Sequence, residues 1–148
     1  MPTPRQAQPH ELNDLVELAH AFYLEDGFAT PPEQLRANLA NLLADDSARV
    51  AVIDNDGGQL LGFAITTTSF GLENGPIAEL EDLYVTPESR HAGLGRALIA
   101  DSTTWASRHG CTYLEIVVTD GEQYTQLIRY YHTAGFSHPR TLLRKRLS

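Results

Sequence analysis

"LEDLYVTPESRHAGLGRALI", Leu80 to Ile99, joins a strand-like run to a helix-like run through a loop of unusual composition. The run into Val85 alternates or is apolar until Thr86-Pro87 stops it. "GLGRALIADSTTWASRHG" then reads as a helix closed by Gly110. Between the two stand Arg90, Gly93 and Gly95, with no catalytic side chain within the loop. A helix N-terminus leaves backbone N–H groups unpaired and carries partial positive charge, so a loop entering one suits phosphate. Gly93 and Gly95 allow a diphosphate to lie against the backbone, and Arg90 and Arg96 supply positive charge around it. Such a loop holds a ligand without transforming it. A plain tight turn is the simpler reading of a bare G-x-G, and the surroundings decide between the two.

Two nucleotide-binding patterns fail. The G-x-x-x-x-G-K-[ST] of a P-loop is absent, and a dinucleotide fingerprint needs a third small residue where Leu98 stands. "TPESRHA" also separates the strand from the glycines, whereas a dinucleotide strand turns directly into them.

Working outward, Leu12, Leu15, Val16, Ala19, Phe22 and Tyr23 have amphipathic helical spacing. Thr30-Pro-Pro-Glu33 has the spacing of a capping box, and Leu35, Leu39, Leu42 and Leu43 mark a second helix. "RVAVID" and "QLLGFAITTTSF" flank the turn-forming Asn55-Asp-Gly-Gly58 and read as an antiparallel hairpin. "CTYLEIVV" predicts a strand, "GEQYTQLIRYYHTAG" a last helix, and "TLLRKRL" a terminal strand. This order predicts one α/β (α+β) domain over residues 1–148, with a mixed, mostly antiparallel sheet flanked by helices.

Composition narrows the function classes. A formal charge of -8 disfavours nucleic acid and favours cationic small molecules. No apolar run approaches the ~18 residues of a membrane span. No signal-peptide pattern stands at the N-terminus, and the lone Cys111 cannot form an internal disulfide, so a soluble cytoplasmic protein is expected. The six histidines show neither HExxH nor a close ligand pair, so no metal site is expected.

The whole string Leu80 to Ile99, with its R-x-x-G-x-G core at Arg90, Gly93 and Gly95, resembles the pyrophosphate-binding motif of the GNAT superfamily of acyl-coenzyme A N-acyltransferases. "YYHTAGF", Tyr130 to Phe136, is similar to that family's aromatic-Tyr-x-x-x-Gly-Phe motif, and "LEDLYV" resembles the diamine-type, small-amine enzymes. The resemblance implies acetyl-coenzyme A bound in a V between two splayed parallel strands, Ala78 to Val85 and Thr112 to Val118. It places main-chain pairing of the pantetheine arm on Leu83 and Val85, with Tyr84 between them, and the diphosphate on Arg90, His91, Ala92, Gly93, Leu94, Gly95 and Arg96. The implied activity is acetyl transfer to a primary amine of a small cationic acceptor, by direct attack in a ternary complex, in an enzyme that is commonly a homodimer. A protein lysine or N-terminal acetyltransferase, and an acyl-coenzyme A binding module without turnover, are the alternatives. Two positions depart from the family pattern: Tyr124 stands where many members have a cofactor-contacting asparagine, and Leu127 where a small residue is usual.

Acetyl transfer needs an uncharged amine, stabilisation of an oxyanion and a proton for the departing thiolate. The motif assigns the proton to the Tyr131 phenol and the oxyanion to the N–H near Val85. Strict strand alternation puts Glu79, Glu81, Leu83 and Val85 on one face and Asp82 with Tyr84 on the other. Glu79 and Glu81 both match base positions in branches of the family; an ordinary solvated strand face is the plain alternative for them.

Overall fold

The computed structural model describes residues 2–148. A two-residue strand, β1 (Arg5–Gln6), and one 3-10 turn (Pro9–Glu11) lead into α1 (Leu12–Glu25). Arg5 ties them together, donating to Glu11 at 2.8 and 2.7 Å and to Asp54 at 2.7 Å. That pairing holds the Glu11 carboxyl down at about 2.

α2 (Pro32–Leu43) packs beside α1, burying Leu35 and Leu39 one turn apart. Thr30 does not cap it. The N-cap is Pro31, extended at φ -60° and ψ 136°, because a residue preceding proline is pushed out of the helical region. Pro32 therefore takes the first helical position.

The predicted hairpin is β2 (Ala48–Asp54) and β3 (Leu60–Gly71), and β3 turns back into β4 (Gly75–Val85). After one 3-10 turn (Pro87–Ser89) come α3 (Leu94–Arg108), β5 (Leu114–Ile116), another 3-10 turn (Glu122–Tyr124) and α4 (Thr125–Thr133). The sheet runs β1-β2-β3-β4-β5, antiparallel except for the parallel β4–β5 pair. Helices α1 and α2 cover one face over Val50, Val52, Phe63, Ile65 and Tyr84. Helices α3 and α4 cover the other over Ala51, Ile53, Ala64 and Leu80. On that side α3 is fixed by the buried Thr66–Ser102 hydroxyl pair at 3.0 Å and the Arg49–Asp101 ion pair at 2.8 Å.

Strict alternation fails in β4. The register passes from Leu80 opposite Thr66 to Asp82 opposite Ile65, so Glu81 is an extra, bulged residue. The bulge reverses the parity of every residue after it in the strand. Leu80 shares the α3/α4 face with Leu83 and Val85, while Tyr84 belongs to the α1/α2 face.

β5 is shorter than the predicted Cys111–Val118, and no terminal strand forms at "TLLRKRL": residues 137–148 are exposed and irregular. β5 pairs with β4 alone and is three residues long, so the open edge it leaves for a further strand is short. Among the described residues, no helix is long and apolar enough to cross a membrane.

Candidate active site

β5 stops pairing at Ile116, opposite Leu80, while β4 continues to Val85. The two parallel strands therefore part beyond the bulge and open a V. The direction of the β4 backbone inside it is set by one bond. Thr86 N–H donates to Leu61 C=O at 2.8 Å, so Thr86, Tyr84 and Asp82 direct their main-chain groups toward β3. Leu83 and Val85 direct theirs into the V. Tyr84 is thus set apart from its two neighbours; its ring packs against Phe22 and Phe63, at centroid distances of 5.2 and 6.2 Å.

The loop after β4 turns through a left-handed His91 (φ 66°) and a left-handed Gly93 (φ 83°), which is the N-cap of α3. Ala97 N–H, bonded to Gly93 C=O at 3.0 Å, is the first of the helix to find an acceptor. From His91 through Arg96 no main-chain N–H has an acceptor among the described residues. Six consecutive donors at the positive end of a fifteen-residue helix form an anion cradle. These residues fit a diphosphate.

The two arginines do different work from that expected. Arg90 pairs with Glu25 at 2.8 Å, donates from Nε to Val85 C=O at 2.9 Å and lies over the Tyr84 ring. It locks the end of α1 to the rim of the V and satisfies one of the two carbonyls pointing into it. Arg96 bonds the carbonyl and hydroxyl oxygens of Thr133 and covers the Tyr130 ring, so it fastens α3 to α4. Gly95 is bare for the same contact: a Cβ there would stand 2.9 Å from the Tyr130 hydroxyl.

Tyr131 is 7% exposed and packs in the α3/α4 core with Leu83, Val85 and Phe136. Burial pushes its phenol well above the ordinary range, with smaller contributions from Tyr130 and from the carboxylate of Asp26 beyond α1. It stays protonated and can donate. Tyr124 forms the end of the 3-10 turn ahead of α4, and Leu127 is 40% exposed on α4.

On the opposite face the bulge gathers carboxylates. Glu81 accepts from Thr67 Oγ1 at 2.5 Å. Asp82 accepts from Tyr23 OH at 2.6 Å, and burial raises its carboxyl above the usual range. Glu79 is raised too, first by burial and then by the charges of Glu81 and Glu115, which lies opposite it on β5. None of these four carboxylates has a cationic partner among the ion pairs of the described residues. Glu81 and Asp82 also line a cavity of about 160 Å³ under α1 and α2, with Tyr23, Asn38 and Phe63. A larger open groove, about 600 Å³, lies between the β3–β4 hairpin and Cys111, away from these groups.

Strict alternation separates Asp82 from the two glutamates, and the motifs pass over Tyr23, Glu25, Asp26 and Glu115. A Tyr on the inward face of α1 and an acid at the middle of "YLEIV" are the available signals; the bulge that unites them has none. Among the described residues no three His, Cys, Asp or Glu side chains are grouped to hold a metal ion.

Residues 12–136 match the profile of the Acetyltransferase (GNAT) family. Over 117 residues the chain is 31% identical to an aminoglycoside N(6')-acetyltransferase type 1 of Stenotrophomonas maltophilia, covering 76% of this chain and 72% of that one. It is 28% identical over 114 residues to the thialysine N-epsilon-acetyltransferase of Bos taurus, covering 77% of this chain and 63% of that one. A solved structure of the aminoglycoside N-acetyltransferase AAC(6')-Iy in complex with CoA superposes with a TM-score of 0.85 at 20% identity, over 99% of this chain and 95% of that one.

Proposed function

The chain belongs to the acetyltransferase (GNAT) family and is an acetyl-coenzyme A-dependent N-acetyltransferase, and from that premise we propose that its acceptor is the primary amine of a small cationic molecule. The observation that carries the acceptor class is the set of four carboxylates, Glu79, Glu81, Asp82 and Glu115, beside the V and without a cation of their own. An ammonium group entering there gains attraction from charges whose burial is otherwise costly. Two relatives named for acetylating amines, on an aminoglycoside and on thialysine, support the same class. We read residues 1–148 as one acetyltransferase domain, working as a homodimer in a reducing cytoplasm; the single cysteine and the exposed leucines beyond α4 support that reading.

In this reading the Leu83 and Val85 main chains hold the pantetheine arm, and the N–H groups from His91 to Arg96 hold the diphosphate. Acetyl-coenzyme A supplies the acetyl group and the sulfur that leaves with the coenzyme. Glu79 and Glu81 bind the acceptor ammonium and draw off its proton, directly or through water. Val85 N–H faces the place where negative charge develops on the carbonyl oxygen. Tyr131, kept protonated by its burial, gives the proton that the sulfur takes.

Glu79→Gln with Glu81→Gln tests the acidic face. The double variant is expected to lose kcat/KM for amine by on the order of 100-fold or more, with calorimetric affinity for acetyl-coenzyme A unchanged. Wild-type amine kinetics would return both residues to an ordinary solvated strand face.

A further inference from the structure

Arg90 stands one residue ahead of His91, the first free N–H of the cradle, so the loop carries a long cationic side chain at the entrance to its anion site. The structure turns that side chain the other way. Its Nη1 and Nη2 meet Glu25 Oε1 and Oε2 at 2.8 and 2.9 Å, its Nε donates to Val85 C=O at 2.9 Å, and it lies 5.5 Å from the Tyr84 ring centroid. The two side chains are 36 and 42% exposed, and an exposed ion pair held by one contact contributes little. Here a two-pronged fork, a carbonyl and a ring fix one geometry together. Glu25 comes from the last turn of α1, outside the motif, and the guanidinium beside it holds its carboxyl below the usual range. Asp26 and Glu88 lie near enough for their charges to act on Arg90, and neither is bonded to it. At the far end of the cradle Arg96 is likewise engaged, with Thr133.

The chemistry gives this arrangement a consequence. Acetyl-coenzyme A and the coenzyme A that leaves carry the same diphosphate. An arginine closed on it would hold substrate and product alike, which does nothing for the transfer step and slows departure of the product. A cradle of main-chain N–H groups binds the diphosphate without that added charge.

We infer that Glu25 is a positioning residue, which holds the Arg90 guanidinium off the diphosphate and thereby sets how tightly coenzyme A is kept and how readily it is released. The inference rests on the placement of the diphosphate in the proposed function. It acts through Arg90 and predicts a gain of affinity where the loss of a merely structural contact at the rim of the V would bring a weakening.

Calorimetry of the full chain with coenzyme A reads that sign. Glu25→Gln is expected to tighten binding by about two- to fivefold at low salt, and the gain is expected to fade as salt is added. Arg90→Gln should then cost more affinity in the Glu25→Gln background than in the wild type, because only there is the guanidinium free to reach the diphosphate. Glu88→Gln removes the same charge beside Arg90 without breaking a bond to it and should change affinity little. Unchanged or weaker binding in Glu25→Gln, with an unchanged circular dichroism spectrum, would overturn the inference. An equal gain in Glu88→Gln would overturn it too, by reducing the effect to net charge. Affinity lost in Gly95→Val with Tyr130→Phe, yet not gained in Glu25→Gln, would leave the diphosphate at the cradle and remove the role of Glu25 alone. Affinity unmoved in both would remove the placement of the diphosphate as well.

Discussion

Tyr131 and Tyr130 are neighbours in sequence with different surroundings, and geometry separates them. Successive residues on a helix point about 100° apart. Tyr131 enters the core at the V, while Tyr130 covers the bare backbone of Gly95 under the Arg96 guanidinium. In the proposed function the first is the proton donor to the coenzyme sulfur, and burial raises its phenol. Tyr131→Phe removes the hydroxyl and keeps the packing against Phe136. The expected outcome is a fall in kcat of about 100- to 10,000-fold with cofactor affinity retained, and a much smaller change for Tyr130→Phe. Single-turnover kinetics of the two variants across pH decide the matter; full kcat in Tyr131→Phe with loss in Tyr130→Phe would reverse the assignment.

At the scale of elements, the strand, loop and helix from Gly75 to Arg108 act as one device. β4 supplies main-chain groups at Leu83 and Val85, the left-handed turns at His91 and Gly93 aim the loop, and α3 supplies its N-terminal field. Gly95→Val is expected to weaken acetyl-coenzyme A binding by crowding the cradle. The added side chain also meets the Tyr130 hydroxyl, so the informative comparison is Gly95→Val with Tyr130→Phe, which relieves that contact. Affinity by calorimetry should remain low in the double variant; recovery to the wild-type value would mean that Gly95 serves the α3–α4 contact alone. This device was legible in the sequence because its signals are local: a strand stop at Thr86-Pro87, glycines two apart and a helical run after them. The bulge at Glu81 was not. A bulge is decided by how two strands share their registers, and nothing in "ELEDLYV" marks which residue is extra. That single residue moved Asp82 from the far face to the side of Glu79 and Glu81. Thr30 misled for a different reason, since the two prolines after it override its capping spacing.

For the molecule as a whole, the order of elements was readable because each carries its own periodicity and punctuation. The fate of "TLLRKRL" was not, because a strand pattern names no neighbour, and the open edge at β5 is only three residues long. The acidic balance of the chain was likewise visible as a number before its location was. The fold concentrates carboxylates at the closed end of the V, leaves them without cations among the ion pairs of the described residues and sets a protonated phenol in the opposite core. In the proposed mechanism the sheet would divide the labour of the reaction: one face would receive the amine and its proton, and the other would return a proton to sulfur. The claim that rests on all of this is acetyl transfer to a small cationic amine. It is tested most directly by free-thiol release from acetyl-coenzyme A against a panel of polyamines, aminoglycosides, lysine-like amino acids and lysine-containing peptides. Saturable turnover with one or more of the small amines, and little with the peptides, is the result expected. Turnover confined to peptides, or none with any amine despite tight cofactor binding, would contradict it.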